Sequence, residues 1–149
     1  MDKDPVAFRI FNEIGIISQL SSAVMERVLP HGLTMSQFGV LNNFVRLGGE
    51  RTPAGLATAF QVTRGAMTNT LARLEKAGLV AMRPDPEDGR GKIVSITDAG
   101  RSAREDCLEA LAGEIRKLDG KVDWQDYVEI LPKLEALRKI LDEERFRTD

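Results

Sequence analysis

Several residue types are scarce in this 149-residue sequence, and each scarcity excludes something. There is one cysteine, one histidine, one tryptophan and one tyrosine, and aromatic residues make up 5%. A lone Cys107 cannot close an internal disulfide, which fits a reducing cytoplasm. It also falls in an apolar helical stripe, which favours a buried, inert thiol over a redox switch. One histidine and one cysteine far apart match no zinc spacing, so no metal site is expected. His31 sits in a Leu-Pro-His-Gly-Leu-Thr turn, where a histidine is far more often a surface residue than a catalytic base. No nucleophile elbow and no phosphate loop appears, so neither an enzyme nor a bound cofactor is expected. No apolar run is long enough to span a membrane. The start, Met1-Asp-Lys-Asp-Pro5, has no apolar segment behind a basic one, so no secretory signal is expected. The length suits one domain with its own core rather than two.

The net charge of −2 is unevenly spread. Residues 46–92 hold eight basic and five acidic side chains, a balance of +3, and the remainder holds 13 and 18, a balance of −5. The middle of the chain is therefore mildly electropositive, which a phosphate backbone requires locally and not of the whole molecule.

That middle stretch also carries the clearest pattern. Thr52 caps a short helix with Pro53 at its first position, and Leu56, Ala57 and Phe60 share one face. Gln61-Val62 forms a turn and Thr63 caps a second helix. In that helix Met67, Thr70, Leu71 and Leu74 face inward, while Arg64, Gly65, Thr68, Asn69, Ala72 and Arg73 face outward. Gly78 stands where a left-handed residue ends a helix. Two short apolar runs, 79–82 and 93–96, flank a polar Pro- and Gly-rich turn at residues 84–92. Two helices, a strand, a charged turn and a strand make the order of a winged helix-turn-helix, in which one helix enters the major groove of DNA.

The outward face suits double-stranded DNA. Asn69 can bond adenine, Arg64 and Arg73 can bond guanine, and the Thr63 and Thr68 methyls can touch thymine. Gly65 lets backbone N–H groups approach a phosphate. Arg90, between Gly89 and Gly91 on the turn, suits a narrow minor groove, and Asp88 is expected to hold its guanidinium by a charge-assisted bond. Taken singly, a polar helix face is merely solvated and a charged hairpin is ordinary. Their combination in one order is what points to DNA.

Five motifs in register carry a resemblance. They are Leu33-Thr34-x-x-Gln37, Val62-Thr63-Arg64-x-Ala66-x-Thr68, Arg73-Leu74-Glu75-x-x-Gly78-Leu79-Val80, Asp85-Pro86-x-Asp88-x-Arg90 and Ile96-Thr97-x-x-Gly100. In that order and spacing the chain resembles the MarR family of bacterial transcription regulators. The resemblance implies a mainly α fold with a three-helix core and a two-stranded β wing. The whole chain would be one such domain, with a DNA-binding lobe at residues 34–97. It further implies a homodimer formed by helices at residues 4–30 and 98–146. The recognition helix would span 63–76 and the wing 84–92, with Asp88 and Arg90 as its Asp-x-Arg pair. A repressor or activator is implied, with repression taken as the sign, released by a small aromatic or phenolic effector bound between dimerisation helices and lobe. One departure is Gly55, where relatives often carry an acidic residue, so a capping box is lost. A winged helix used for protein interaction alone, without DNA, is the competing reading.

The flanks agree with this layout. Asp4 is expected to cap a first helix with Pro5 leading it. Val6, Ile10, Ile14, Ile17, Leu20, Val24 and Val28 then recur at helical spacing until Pro30. Such a helix is about 36 Å long, and Phe8, Phe11 and Ile16 add apolar surface beyond the stripe, which argues for a partner surface. Thr34 and Gln37 form a capping box for the next helix, with Phe38, Leu41, Phe44 and Val45 as its apolar side. Thr97 caps a helix striped by Ala103, Cys107, Leu108, Leu111, Ile115 and Leu118. Asp123 caps a last helix with Trp124, Tyr127, Ile130, Leu134, Leu137 and Leu141 on one side, and Pro132 inside it is expected to bend it or shift its start. The charged tail from Glu143 should fray.

Overall fold

A computed structural model describes residues 3–147. Among them the order is α1 (Val6–Val28), α2 (Met35–Leu47), α3 (Pro53–Phe60), α4 (Arg64–Lys76), β1 (Val80–Pro84), β2 (Lys92–Ile96), α5 (Asp98–Arg116) and α6 (Trp124–Glu144). The mainly helical winged-helix fold is therefore present. Residues up to Ala112 form one compact unit and those from Gly113 a second. No helix among the described residues is long and apolar enough to cross a membrane.

Side-chain caps set most of the helix starts. The Thr34 hydroxyl accepts the Gln37 N–H at 3.2 Å, and the Gln37 side chain accepts the Thr34 N–H at 3.1 Å. This reciprocal box satisfies two donors that a helix start would otherwise leave open. Thr52 accepts the Gly55 N–H at 3.0 Å with Pro53 in the first turn, so half a box survives the loss of the acid at Gly55. Thr63 accepts the Ala66 N–H at 3.1 Å and Asp123 the Gln125 N–H at 3.0 Å.

The α4 C-terminus closes as a Schellman motif. Gly78 adopts φ 74°, its N–H bonds to the Glu75 carbonyl, and the Leu79 N–H bonds to the Leu74 carbonyl, both at 2.9 Å. Glycine takes that left-handed geometry without a Cβ penalty. Thr97 then joins three elements. Its hydroxyl donates to the Gly78 carbonyl at 2.7 Å and accepts the Gly100 N–H at 3.0 Å, which starts α5 against the end of α4. A Cβ on Gly100 would collide with the Leu79 carbonyl oxygen and come within 2.8 Å of Ile96 Cγ1. Only glycine permits that approach.

The core of the first unit gathers Val40, Leu41 and Phe44 of α2, Leu56 of α3, Leu71 and Leu74 of α4, Val94 of β2 and Cys107 of α5. Strands β1 and β2 pair antiparallel from Val80↔Ile96 to Pro84↔Lys92. Arg51 adds a one-residue third strand, exchanging bonds of 3.0 and 2.7 Å with Val94. Helix α5 is tied to α2 by Arg104, whose Nε and Nη2 donate to Asn42 Oδ1 at 3.2 and 3.0 Å. His31 Nε2 lies 2.7 Å from Asp106 Oδ2, which ties the same helix to the turn before α2.

Several expectations shift. Pro5 itself is the cap of α1, and Val6 leads the helix in place of Pro5. A proline at the cap keeps extended ψ (139°), so its fixed φ does not draw it into the helix. Pro84 and Lys92 belong to the strands, because Pro84 sits at a strand end where its missing N–H breaks no further ladder bond, so the loop is residues 85–91. Pro132 does not displace the start of α6, which runs unbroken from Trp124 to Glu144 through it. On α2, Val40 is fully buried and Val45 only half-buried, since its inner face is wider than the stripe assumed. On α5, Ile115 is exposed, and Leu118, also exposed, lies in the turn beyond the end of that helix. The last two residues of the charged tail lie outside the described residues.

Candidate nucleic-acid interface

Helix α4 has two chemically opposite sides. Met67, Leu71 and Leu74 are 3%, 1% and 1% exposed and hold the helix to the core. Arg64, Gly65, Thr68, Asn69 and Arg73 are all exposed, as is the cap Thr63. Spacing of three or four residues puts Arg64 beside Thr68, Gly65 beside Asn69 and Asn69 beside Arg73. The structure thus brings six of the eight expected site residues onto one helix and its cap. Arg73 and Lys76 occupy its last turn, where the helix dipole favours cations.

Helix α4 is aimed by the turn before it. Gln61 adopts a left-handed φ of 53°, and the Val62 N–H bonds back to the Ala57 carbonyl at 3.0 Å. The chain reverses within three residues and delivers Thr63 as the cap. Because Thr63 binds the third N–H, those of Arg64 and Gly65 at the helix start have no intrahelical acceptor. A Cβ on Gly65 would meet open space. The fold does not require glycine there, and the bare backbone leaves room for an outside group to approach the helix start.

The other two expected residues, Asp88 and Arg90, lie in the exposed wing loop, but not as a charge pair. Asp88 Oδ1 accepts the backbone N–H of Arg90 at 3.0 Å, and the Asp88 carbonyl accepts the Gly91 N–H at 2.9 Å. The expectation that Asp88 holds the guanidinium is therefore corrected. A two-residue Asx turn satisfies a backbone donor at the bend, and that competes successfully with an exposed ion pair. Asp85 repeats the device on the Glu87 N–H at 2.9 Å, while its own N–H bonds the Gly91 carbonyl at 3.0 Å and closes the loop. Among the described residues the Arg90 guanidinium has no ion-pair partner, so it is available to an anion.

Two residues beside the site carry no signal in the sequence. Glu50 and Arg83, 33 positions apart, form an ion pair of 2.7 Å. The adjoining Arg51 supplies the third strand and lies 5.8 Å above the Phe44 ring. No single-sequence pattern connects such distant positions.

Comparison with known proteins places this geometry. A family model described as MarR family matches residues 31–91. The chain is 31% identical over 140 residues to the multiple antibiotic resistance protein MarR of Escherichia coli K12, covering 89% of this chain and 95% of that protein. This chain belongs to the MarR family. Among solved structures of the family's fold, the transcriptional regulator BldR of Sulfolobus solfataricus superposes with a TM-score of 0.74 at 28% identity, covering 96% of this chain and 99% of BldR. A cysteine-to-serine mutant of E. coli MarR complexed with operator DNA superposes with a TM-score of 0.68 at 25% identity, covering 92% of this chain and 99% of that one. The chain is therefore a MarR-family transcriptional regulator, and the resemblance read from the five motifs holds over nearly its whole length.

Proposed function

We propose that this regulator binds double-stranded DNA as a homodimer, with α4 in the major groove and Arg90 of the wing in the minor groove. The observation that carries this is the division of α4, whose apolar side is sealed in the core while Arg64, Thr68, Asn69 and Arg73 stand in solvent. The MarR structure with operator DNA supports the same reading by likeness. On this reading Thr63, Gly65 and the backbone at the helix start take a phosphate, the α4 side chains read base edges, and Asp88 shapes the wing.

The homodimer rests on α1 and α6. Neither helix has a buried residue, and Phe8, Ile17, Leu20, Trp124 and Leu131 are each at least 57% exposed. An apolar surface of that extent on a helix calls for a second surface to cover it. Two-fold symmetry would put the two α4 helices in successive major grooves about 10 base pairs apart, on a pseudo-palindrome. Occupancy of a promoter by such a dimer represses without any further surface, so repression is the proposed sign. Release by a small aromatic or phenolic anion would act by changing the spacing of the two helices. No catalytic step and no cofactor enters this mechanism, and the cytoplasm is its place of action.

The test is selection from a pool of random duplexes at two salt concentrations, with the mass in solution recorded. Enrichment of a pseudo-palindrome by a dimer, with affinity falling steeply with salt, supports the proposal. A dimer that enriches nothing overturns it in favour of a protein-interaction module.

A further inference from the structure

We infer that Glu50 is a positioning residue for the wing, bracing it through Arg83 so that Arg90 meets DNA in a fixed orientation. The inference rests on the DNA-binding reading above and goes beyond it. The wing is firmly rooted at its base, where Val80 and Val94 are buried and Val94 pairs with Met82 on one side and Arg51 on the other. Toward the tip, the next rung, Arg83↔Ile93, has no third strand beside it. A two-stranded ribbon twists freely and is marginal by itself. The Glu50 carboxylate meets Arg83 at that rung, 2.7 Å away. The pair links the third-strand segment to β1, the far strand of the ribbon, at the residue one rung beyond the Arg51 bridge.

Glu50 is itself well anchored. Gly48 and Gly49 turn the chain with φ of 68° and 72°, and the neighbouring Arg51 backbone is bonded to Val94 in both directions. The Arg51 side chain also donates to the Glu50 carbonyl at 2.8 Å. A brace needs one fixed end, and this is it. From Arg83 the chain runs through Pro84 into the loop closed by Asp85 and Asp88, which carries Arg90. The loop is internally set, so its orientation follows that of the rung below.

Charge alone predicts the opposite of a brace. Removing Glu50 adds one positive charge to a DNA-binding lobe, which by itself tightens binding. The experiment measures affinity for a duplex selected by the wild-type protein, using E50A, R90A, the double variant E50A/R90A and the charge-swapped E50R/R83E. E50A is expected to weaken binding about three- to fivefold, the scale of one surface ion pair. The swapped pair, whose net charge is that of the wild type, is expected to restore most of the loss. E50A is expected to add nothing on top of R90A, because both act through the same contact. Binding by E50A as tight as wild type or tighter, or a full additive loss in the double variant, overturns the brace. If R90A weakens binding and E50A does not, the brace alone fails. If R90A leaves binding unchanged, the wing reading fails and the brace falls with it.

Discussion

Helices α4 and α1 are both amphipathic in sequence, yet one hides its apolar side within the chain and the other leaves it in solvent. In α4, a 13-residue helix, Met67, Leu71 and Leu74 are all buried. In α1, at 23 residues, none is. The difference teaches what each helix is for. A helix whose apolar needs are met internally can present Arg64, Thr68 and Asn69 to a polar partner without losing its footing. A helix with Phe8, Ile14, Ile17 and Leu20 exposed offers an apolar face that the proposed dimer would cover. On the proposed function, the first is a reading head on a finished support, and the second is half of a dimer interface.

The sharpest way to break that contrast is to shorten the buried side of α4. Leu71→Ala should cost about 3 kcal/mol of unfolding free energy, since it removes buried methyl groups and leaves a cavity. Chemical denaturation checks it, and a loss below about 1 kcal/mol would mean that α4 is not held as described. On α1, Ile17→Lys should leave the fold of the first unit intact and instead convert the proposed dimer to a monomer. Mass in solution reads that directly, and a persistent dimer would move the interface elsewhere.

Outward residues of α4 should behave in the reverse way to Leu71. Asn69→Ala is expected to cost about 1–3 kcal/mol of discrimination at one base position while leaving thermal stability unchanged. Equal weakening on every duplex would reassign Asn69 to the phosphate backbone. In the wing, Asp88→Ala should weaken DNA binding modestly, by loss of the Asx turn, while Asp88→Asn should retain it because an amide oxygen still accepts the Arg90 N–H. If Asp88→Asn is as weak as Asp88→Ala, the carboxylate charge matters and the turn does not.

The smallest effect is expected at Cys107. Burial, and then the nearby Asp106 carboxylate, raise its thiol above the ordinary value of 9.0. The folded protein therefore holds that proton more tightly than the unfolded chain. Its stabilising contribution is full below the unfolded value and is lost as pH rises through the raised one. Native protein should react slowly with a thiol reagent at pH 8, and at the free-thiol rate once unfolded. Fast labelling of the native state would show that the α5 stripe opens.

Much of the fold was legible because helix starts and stops are written locally. Thr34 with Gln37, Thr52 with Pro53, and Thr63 before Arg64 each determine a cap within four residues, and the helical period then assigns the buried side. Gly78 marks the end of α4 for the same reason, since a left-handed residue is needed there whatever the surroundings. The placement of the eight candidate residues was legible, six by helical spacing and two by their place in a Pro- and Gly-rich turn. What Asp88 touches was not. A carboxylate two residues before an arginine can bond its backbone or its guanidinium, and the choice depends on how the loop closes through Asp85 and Gly91.

By itself, then, the sequence determined the helices, most of their caps, the wing and the polar face of α4, because each rests on neighbours within a turn or a hairpin. Tertiary structure decided the long-range pairings: Glu50 with Arg83, Arg104 with Asn42, His31 with Asp106, and Arg51 as a third strand. It also decided why residue 100 is glycine, since the Leu79 carbonyl occupies the place of a side chain. Those contacts join positions tens of residues apart, and their geometry comes into existence only when the core has packed.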